Sequence, residues 1–416
     1  MNTQNDSSND NADIYERYVE DSSFLWMMRS IAVNQPHYNA LDIKALENRM
    51  QAHLDGLLTS INMAWQICEK SLKLNGPGEV FTAAIVAFTS HDQQKIQAVV
   101  KAGLASNATL KGLISAIAWL PSKISHPWIQ KFLISNDIND KYIGMSICSI
   151  GRENPGEFLH DYLNHDDCLR HEKLYIRCLR LIGELKRHDL APALFKAMES
   201  DNADVIFWAN WSAILLGNKT LVNKMEPYLF KPSSYQDQAL NMAFRVLPIN
   251  QARDWITRLS GDVQRIRHVI KATGIAGDPQ AVDWLVLKMR ETPHARLAGE
   301  SFTLITGIDL NQNKLSQAAP EHVVAIPSEN ASDPNVAMDD DENLPWPNAA
   351  LIAASWKHIA HQYIKGQRYF MGNDINTATL THCIQHAYQR QRHAAALELA
   401  LLDSANCLIN TRAKIN

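Results

Sequence analysis

An apolar residue followed by glycine or proline recurs at nearly constant spacing through the middle of the chain. Successive pairs lie 29 to 34 residues apart. The pairs are Leu120-Pro121, Ile150-Gly151, Ile182-Gly183, Leu216-Gly217, Leu247-Pro248, Ala276-Gly277 and Thr306-Gly307. A weaker pair, Thr89-Ser90, precedes them at the same spacing. A period in this range is typical of stacked supersecondary units.

The stretch "GIAGDPQAVDWLVLKM", residues 274–289, shows the local chemistry of one such unit. Gly277 can adopt the left-handed conformation that ends a helix, Asp278 can cap the next helix, and Pro279 suits its first position. The apolar residues that follow share one helical face, at Val282, Leu285, Val286 and Met289. Each unit is therefore predicted to be a helical hairpin.

Small residues support this register, because they allow helices to approach closely. They stand four positions before the first member of six pairs, at Ala116, Ser146, Cys178, Ser212, Ala243 and Ala272. No strand-like alternation competes with the helical pattern. We predict an all-α protein whose residues 78–307 form an α-solenoid of about eight short hairpins. A disordered start at 1–15 and a helical segment at 16–77 precede it.

The helical periodicity stops at residue 308. Between residues 313 and 342 the chain has seven acidic residues and one lysine. A long polar segment of this kind is typical of disordered or functional loops. We predict an acidic flexible loop at 308–343 and a C-terminal helical region at 344–416, with helices at 349–363, 377–392 and 394–403.

Composition limits the environment and the partners. The net charge is −4, so the chain outside the acidic segment is nearly neutral, which argues against nucleic acid as a partner, although a local basic groove stays possible. No apolar run is long enough to span a bilayer, and the polar N-terminus is unlike a secretory signal. Six cysteines without a CxxC pair indicate reduced thiols. We expect a cytoplasmic protein.

The stretch at 274–289 resembles the short bacterial HEAT repeat, in which a helix ends at a turn of the IGD type. Further blocks, "FLWMMRS", "GPGEVFTAAIVAF", "LPWP", "GQRYFMG" and "YQRQRHAAALELALL", resemble an uncharacterised proteobacterial HEAT-repeat family. Members of that family are often encoded near type VI secretion genes. The resemblance implies a helical solenoid with an accessory role in type VI secretion. The family has no established catalytic residues that could be assigned to positions in this sequence.

Sequence patterns for chemistry are weak. One cluster has side chains that could bind zinc, namely His160, His165, Asp166, Asp167, Cys168 and His171. Its spacing fits no established pattern, and an inter-repeat turn in which Asp166 or Asp167 caps the next helix explains it. The histidine pairs at 382 and 386 and at 358 and 361 lie one turn apart without a metalloprotease glutamate. Neither a nucleophile elbow nor a phosphate-binding glycine loop is present. We predict no catalytic residues, no metal and no cofactor.

Arginine and tyrosine, which are favoured at protein interfaces, occur outside the repeats. The predicted partner contacts are Arg368, Tyr369, Tyr388, Arg390, Arg392, Asp339, Asp340, Asp341 and Glu342. A capping helix pair with solvated arginines is the simpler explanation of the basic residues, so the contacts are a secondary hypothesis.

These patterns favour a non-enzymatic protein-binding solenoid. The resemblance implies that it acts as an adaptor, chaperone or other accessory of a type VI secretion cluster. One alternative is an immunity protein that neutralises a co-encoded toxin. Another is a HEAT-like DNA glycosylase or lyase, a class that uses Trp, Asp and Arg on a concave helical surface. The repeats contain Trp208, Trp211, Trp255 and Trp284, but core or groove-lining positions explain most of them, and the near-neutral charge argues against this class. The oligomeric state is left open.

Overall fold

The computed structural model describes residues 3–321, 323 and 339–415, with side chains from residue 12 onward. The chain is 72% helix with few small strands, which confirms the predicted all-α class. It divides into two compact units, one formed by 1–212 with 407–416 and the other by 213–406. Within the described ranges, every helix is too short or too polar to span a bilayer.

The first unit is built from helical segments joined by short turns. They are α1 (Thr3–Ala32), α2 (Ala40–Leu58), α3 (Ile61–Ser71), α4 (Pro77–Ser90), α5 (Gln93–Gly103), α6 (Asn107–Trp119), α7 (Ser122–Ile134), α8 (Ile138–Gly151), α9 (Glu157–Asn164), α10 (Asp166–Arg170), α11 (Glu172–Leu185) and α12 (Ala191–Ala197), with 3-10 turns at Leu72–Leu74 and His188–Leu190. The boundary between the units falls within α13 (Ala203–Leu215).

The second unit combines helices with short strand pairs. Its helices are α14 (Glu226–Phe230), α15 (Gln236–Val246), α16 (Ile249–Ser260), α17 (Ile266–Ala276), α18 (Val282–Lys288), α19 (Ala295–Thr306), α20 (Ala349–Ile359), α21 (Thr377–His386) and α22 (Gln389–Leu402). Its 3-10 segments are Lys219–Met225, Val263–Arg265, Pro279–Ala281 and Ala360–Gln362. Two antiparallel pairs join β1 (Ser316–Gln317) with β2 (Trp346–Pro347) and β3 (Tyr369–Phe370) with β4 (Asn373–Asp374).

The predicted turn pairs coincide with helix ends. Helices α6, α8, α13, α15, α17 and α19 each end within one residue of their pair, and α11 continues two residues beyond Gly183. Small residues lie where neighbouring helices approach closely. A Cβ added at Gly183 would lie 2.7 Å from Cα of Ser212, and one at Gly274 would lie 2.8 Å from Cβ of Ser301. The small residues therefore set the helix spacing, as the sequence indicated.

Three segments differ from the sequence expectations. Helix α1 includes residues 3–15, which were expected to be disordered. The predicted helix at 377–392 ends at His386, and α22 begins at Gln389 because Gln391 accepts a hydrogen bond from the backbone of Tyr388 (3.2 Å). Strand β1 and a turn at 339–343 give structure to both ends of the predicted acidic loop. Residues 322 and 324–338 of that loop lie outside the described residues.

The second unit places the turn after β3 against the ends of α17 and α19. The backbone of Tyr369 donates a hydrogen bond to the carbonyl of Gly277 (2.8 Å), and that of Met371 donates to the carbonyl of Leu304 (2.7 Å). Gly277 and Gly307 both have positive φ, at 69° and 71°. Added Cβ atoms there would lie 2.3 Å and 2.4 Å from the carbonyl oxygens of Tyr369 and Met371. Glycine at these two turns thus ends a helix and leaves room for the backbone of the hairpin formed by β3 and β4.

We expect Gly277→Ala to lower the unfolding free energy by roughly 3 kcal/mol or more, because left-handed strain of about 1–2 kcal/mol adds to the clash with Tyr369. Gly217→Ala is the matched control, since Gly217 also has positive φ but an added Cβ would lie 3.5 Å from Ser404. Urea unfolding followed by circular dichroism measures both. Equal losses in the two variants would contradict the proposed packing role of Gly277.

Candidate functional site

A groove of about 390 Å³ lies between α5 and α7 in the first unit. One face of α5 supplies Ile96 and Val100, and Leu104 follows at the same spacing directly after the helix. Helix α7 supplies Trp128 and Phe132, one turn apart. Ile96 and Phe132 are buried in the floor, whereas Leu104 keeps 38% of its surface exposed. The groove therefore presents apolar surface to solvent, which is typical of sites that bind an amphipathic helix.

The aromatic floor of this groove is held in a fixed orientation. The ring of Trp128 meets that of Phe88 edge to face, with centroids 5.2 Å apart, and lies 6.2 Å from the ring of Phe132. The ammonium of Lys131 lies 4.0 Å from the centroid of the Trp128 ring. Such cation–π contacts leave a lysine charge at the edge of an apolar surface.

The rim of the groove is polar. Lys101 and Lys131 are exposed, and Asp140 accepts a hydrogen bond from the hydroxyl of Ser135 (2.8 Å). Desolvation raises the pKa of the Asp140 carboxyl, against the effect of the Ser135 hydrogen bond. The two lysines favour carboxylates on a partner that binds there. An apolar stripe on α5 was visible in the sequence, but nothing in the sequence placed it beside Trp128.

A second feature of the first unit is a buried cluster of one carboxylate and three arginines. Glu184 is 2% exposed, and it accepts hydrogen bonds from the guanidinium groups of Arg152 (3.0 Å) and Arg177 and from the hydroxyl of Ser149 (2.9 Å). The guanidinium of Arg180 lies 3.6 Å from the other carboxylate oxygen. Desolvation raises the pKa of Glu184, but the three arginines outweigh it and lower that pKa to about 2.

We expect Glu184→Gln to destabilise the protein by roughly 3 kcal/mol at pH 7, because three buried or half-buried cations would lose their counterion. The pKa of Glu184 falls from about 4.3 in the unfolded chain to a lower folded value. The stabilisation is therefore complete above pH 4.3 and is lost as pH falls towards 2.

The difference in unfolding free energy between wild type and Glu184→Gln should accordingly shrink between pH 5 and pH 2, as measured by urea unfolding at each pH. Glu153→Gln is the control, because Glu153 pairs only with the exposed His126. A difference that does not change with pH would contradict the role assigned to the Glu184 charge.

The predicted acidic contacts bind arginines of the second unit. Asp341 is buried and accepts two hydrogen bonds from Arg267 (2.7 and 2.9 Å), and Asp339 forms an ion pair with Arg296. The side chains of Asp340 and Glu342 are exposed. Of the four predicted acidic contacts, Asp340 and Glu342 thus have exposed side chains that a partner could reach.

Among the basic predicted contacts, Arg390 donates hydrogen bonds to the carboxylate of Glu300 (3.1 and 3.2 Å) and to the carbonyl of Asp340 (2.9 Å). Arg392 is buried and donates to the carbonyl of Ile384 (2.7 Å). Tyr388 is half-buried at the start of α22. Arg392 lies in the first turn of α22, which begins at Gln389 and not at the predicted residue 394.

The two remaining predicted contacts, Arg368 and Tyr369, belong to the hairpin that meets the helix ends. Tyr369 is buried. Arg368 donates to the carbonyls of Arg245 (2.7 Å) and Ala276 (3.2 Å) and to the carboxylate of Glu398 (2.6 Å). A cavity of about 390 Å³ lies beside this network, lined also by Lys219, Asp374 and Leu402. As partner contacts, all nine residues stay predictions.

The residues considered for metal binding serve as local structure. His171 accepts a hydrogen bond from the backbone of Leu174 (3.2 Å) and so caps α11. The amide of Asn164 lies 3.3 Å from the imidazole of His160, and the rings of His382 and His386 lie 4.6 Å apart. Within the described part of the chain, no three His, Cys, Asp or Glu side chains are grouped as a metal site requires.

Comparisons with family models, curated proteins and solved structures find no significant match. The resemblance to a proteobacterial HEAT-repeat family therefore stays a prediction.

Proposed function

We propose that the protein is a non-enzymatic binding protein, built as an α-solenoid of about eight short HEAT-like hairpins, whose groove between α5 and α7 binds an α-helix of a partner protein. The observation that carries this proposal is the apolar lining of the groove, formed by the half-buried Val100 and Trp128 and by Leu104, which is 38% exposed. The regular spacing of the helix ends supports the solenoid, because stacked repeats place equivalent helix ends at a constant period. Stacked helical hairpins also create extended surfaces on which a partner can bind.

The dimensions and charge of the groove specify its occupant. The lining residues of α5, from Gln93 to Leu104, cover about three helical turns, or roughly 16 Å. A partner helix of that length would place apolar side chains at i, i+3 or i+4, and i+7 along the floor. Carboxylates on its flanks would meet Lys101 and Lys131. We therefore propose an acidic amphipathic helix as the occupant.

The biological role follows from the resemblance alone. A protein encoded near type VI secretion genes would act there as an adaptor, chaperone or other accessory, and its partner would be a secretion component or an effector. We further propose a cytoplasmic location. The alternative role is an immunity protein. The exposed carboxylates of Asp340 and Glu342 favour it, because they could bind a basic toxin surface.

The groove is tested with Leu104→Glu. Proteins encoded beside this gene are purified, and their affinity for this protein is measured by calorimetry. We expect one of them to bind, and Leu104→Glu to weaken that binding at least about tenfold, because a charge would enter an apolar contact. Leu74→Glu is the matched control, since Leu74 is 73% exposed and lies outside the groove. Unchanged affinity in Leu104→Glu would disprove the groove as the docking site.

The immunity role is tested by co-expression with each neighbouring gene whose product is toxic. Restored growth would select the immunity role, and Asp340→Lys with Glu342→Lys should then abolish the rescue. Binding without any rescue would select the adaptor or chaperone role. Absence of both binding and rescue with every neighbouring product would contradict the secretion-cluster proposal.

A further inference from the structure

Residues 407–415 run across helix ends of the first unit, opposite to the order of those helices in the chain. The backbone of Leu408 donates a hydrogen bond to the carbonyl of Glu184 (2.9 Å), at the end of α11, and its carbonyl accepts one from Nε of Arg152 (2.5 Å). Further along, the side chain of Asn410 donates to the carbonyl of Ile150 (3.0 Å), at the end of α8. We call residues 407–415 the tail.

The rest of the tail reaches α1 and α2. Arg29 donates hydrogen bonds to the carbonyls of Arg412 (3.0 Å) and Ala413 (2.9 Å). The backbone of Ile415 donates to the carboxylate of Glu47 (3.0 Å), and Lys44 donates to the carbonyl of Ile415 (2.5 Å). Both partners of Ile415 lie on α2. The rest of the first unit therefore forms hydrogen bonds with the main chain of the tail at several positions.

Two basic side chains of the tail have specific partners as well. The ammonium of Lys414 lies 4.3 Å from the centroid of the Trp119 ring and 3.4 Å from the amide oxygen of Gln51. Nε of Arg412 donates a hydrogen bond to the amide oxygen of Asn34 (2.8 Å). A cation over a tryptophan ring and a paired guanidinium are contacts that discriminate between side chains.

The surface that receives the tail keeps its own bonds without it. Arg29 pairs with Glu47 (2.8 Å), Arg152 pairs with Glu184 (3.0 Å), and the indole of Trp119 donates to Gln51 (2.9 Å). Removal of the tail would leave none of these charges buried without a counterion. The site is therefore preorganised, which lowers the cost of binding.

Apolar burial contributes little to holding the tail. Thr411 is its one buried residue, Cys407 is exposed, and Ile409 keeps 43% of its surface exposed. Polar contacts on an exposed edge contribute modestly to affinity, because water competes for the same groups. The tail is thus held mainly by hydrogen bonds and charge contacts. Another extended segment with basic side chains could form the same contacts in its place.

We propose that this edge of the first unit is a peptide-binding site, occupied by the protein's own tail, and that a partner protein displaces the tail with an extended segment carrying basic side chains two residues apart. The spacing is that of Arg412 and Lys414. The inference rests on the proposed function as a protein-binding scaffold, and it assigns a second site and a second class of ligand. The tail competes as an intramolecular ligand, at an effective concentration in roughly the millimolar range.

The test uses the full chain and a fluorescein-labelled peptide with the sequence of residues 407–416, carrying C407S. In one variant, Arg412→Ala and Lys414→Ala weaken the attachment of the tail. We expect fluorescence anisotropy to show at least about tenfold tighter peptide binding by this variant than by the wild type, because its tail competes less well. The Ile409→Ala variant is the control, and it should exclude the peptide as the wild type does.

Two further changes test recognition. Adding Asn34→Ala and Gln51→Ala to the Arg412→Ala, Lys414→Ala variant should weaken peptide binding at least about tenfold, since these changes remove the hydrogen-bond acceptors of both basic side chains. A peptide in which both basic residues are alanine should bind equally weakly. Leu104→Glu should leave peptide affinity unchanged, so a failure at this edge and a failure at the α5–α7 groove are separate results.

Absence of peptide binding to the variant with the weakened tail, while its circular dichroism melt matches the wild type, would overturn the proposal. Equal binding of a scrambled peptide would also overturn it. If the wild type instead forms a dimer on size exclusion that Arg412→Ala with Lys414→Ala dissociates, the occupant is the tail of a second copy, and the assignment to a foreign partner is wrong.

Discussion

The carbonyl groups at the C-terminal ends of the helices are the constraint on which much of this structure depends. A helix leaves its last carbonyls without internal partners and carries partial negative charge at that end. In the second unit the hairpin of β3 and β4 supplies backbone N–H groups and Arg368 to the ends of α15, α17 and α19. In the first unit the backbone of Leu408 donates a hydrogen bond to a carbonyl at the end of α11, and the side chains of Asn410 and Arg152 donate to carbonyls at the end of α8. Segments from the C-terminal part of the chain thus complete both units.

This arrangement explains why several predicted contact residues are engaged within the protein. Arg368 neutralises helix ends and the buried carboxylate of Glu398, and Arg267 neutralises Asp341. Arginine suits both tasks because its planar group donates several hydrogen bonds in fixed directions. Arginine is therefore common both at protein interfaces and at contacts between segments of one chain. The sequence does not distinguish these two uses.

The proposed binding surfaces differ in their physical character. The groove between α5 and α7 is apolar, so burial of a partner helix would supply most of the binding free energy. The edge that holds the tail is polar and preorganised, so its contribution lies in selectivity for basic side chains. With both proposed sites, one partner would bind tightly in the groove. A second partner would bind at the edge only by displacing the tail.

Helix positions could be predicted from the sequence because they follow from local chemistry. Glycine or proline at the end of an apolar helical stretch favours the end of a helix, and the regular spacing of these pairs predicted the ends of α6, α8, α13, α15, α17 and α19 to within one residue. An apolar residue followed by glycine also occurs inside helices, as at Ile143-Gly144 in α8, so the pair alone does not end a helix. The small residues at Ser212 and Ala243 likewise predicted close helix packing. The start of α22 was misplaced, since the bond between Tyr388 and Gln391 is a side-chain cap that apolar periodicity does not reveal.

The sequence by itself thus determined the all-α class, the helix ends and the acidic composition of residues 313–342. The tertiary structure alone decided which side chains meet. Trp128 joins Leu104 in one groove, Lys414 reaches Trp119, and three arginines surround Glu184. Arg177 and Arg180 share α11 with Glu184, so their spacing is visible in the sequence. The other contacts, including that of Arg152 with Glu184, join residues that are far apart in the chain, and they depend on how helices pack. Local propensity carries no information about such distant pairs, so the candidate sites required the folded chain.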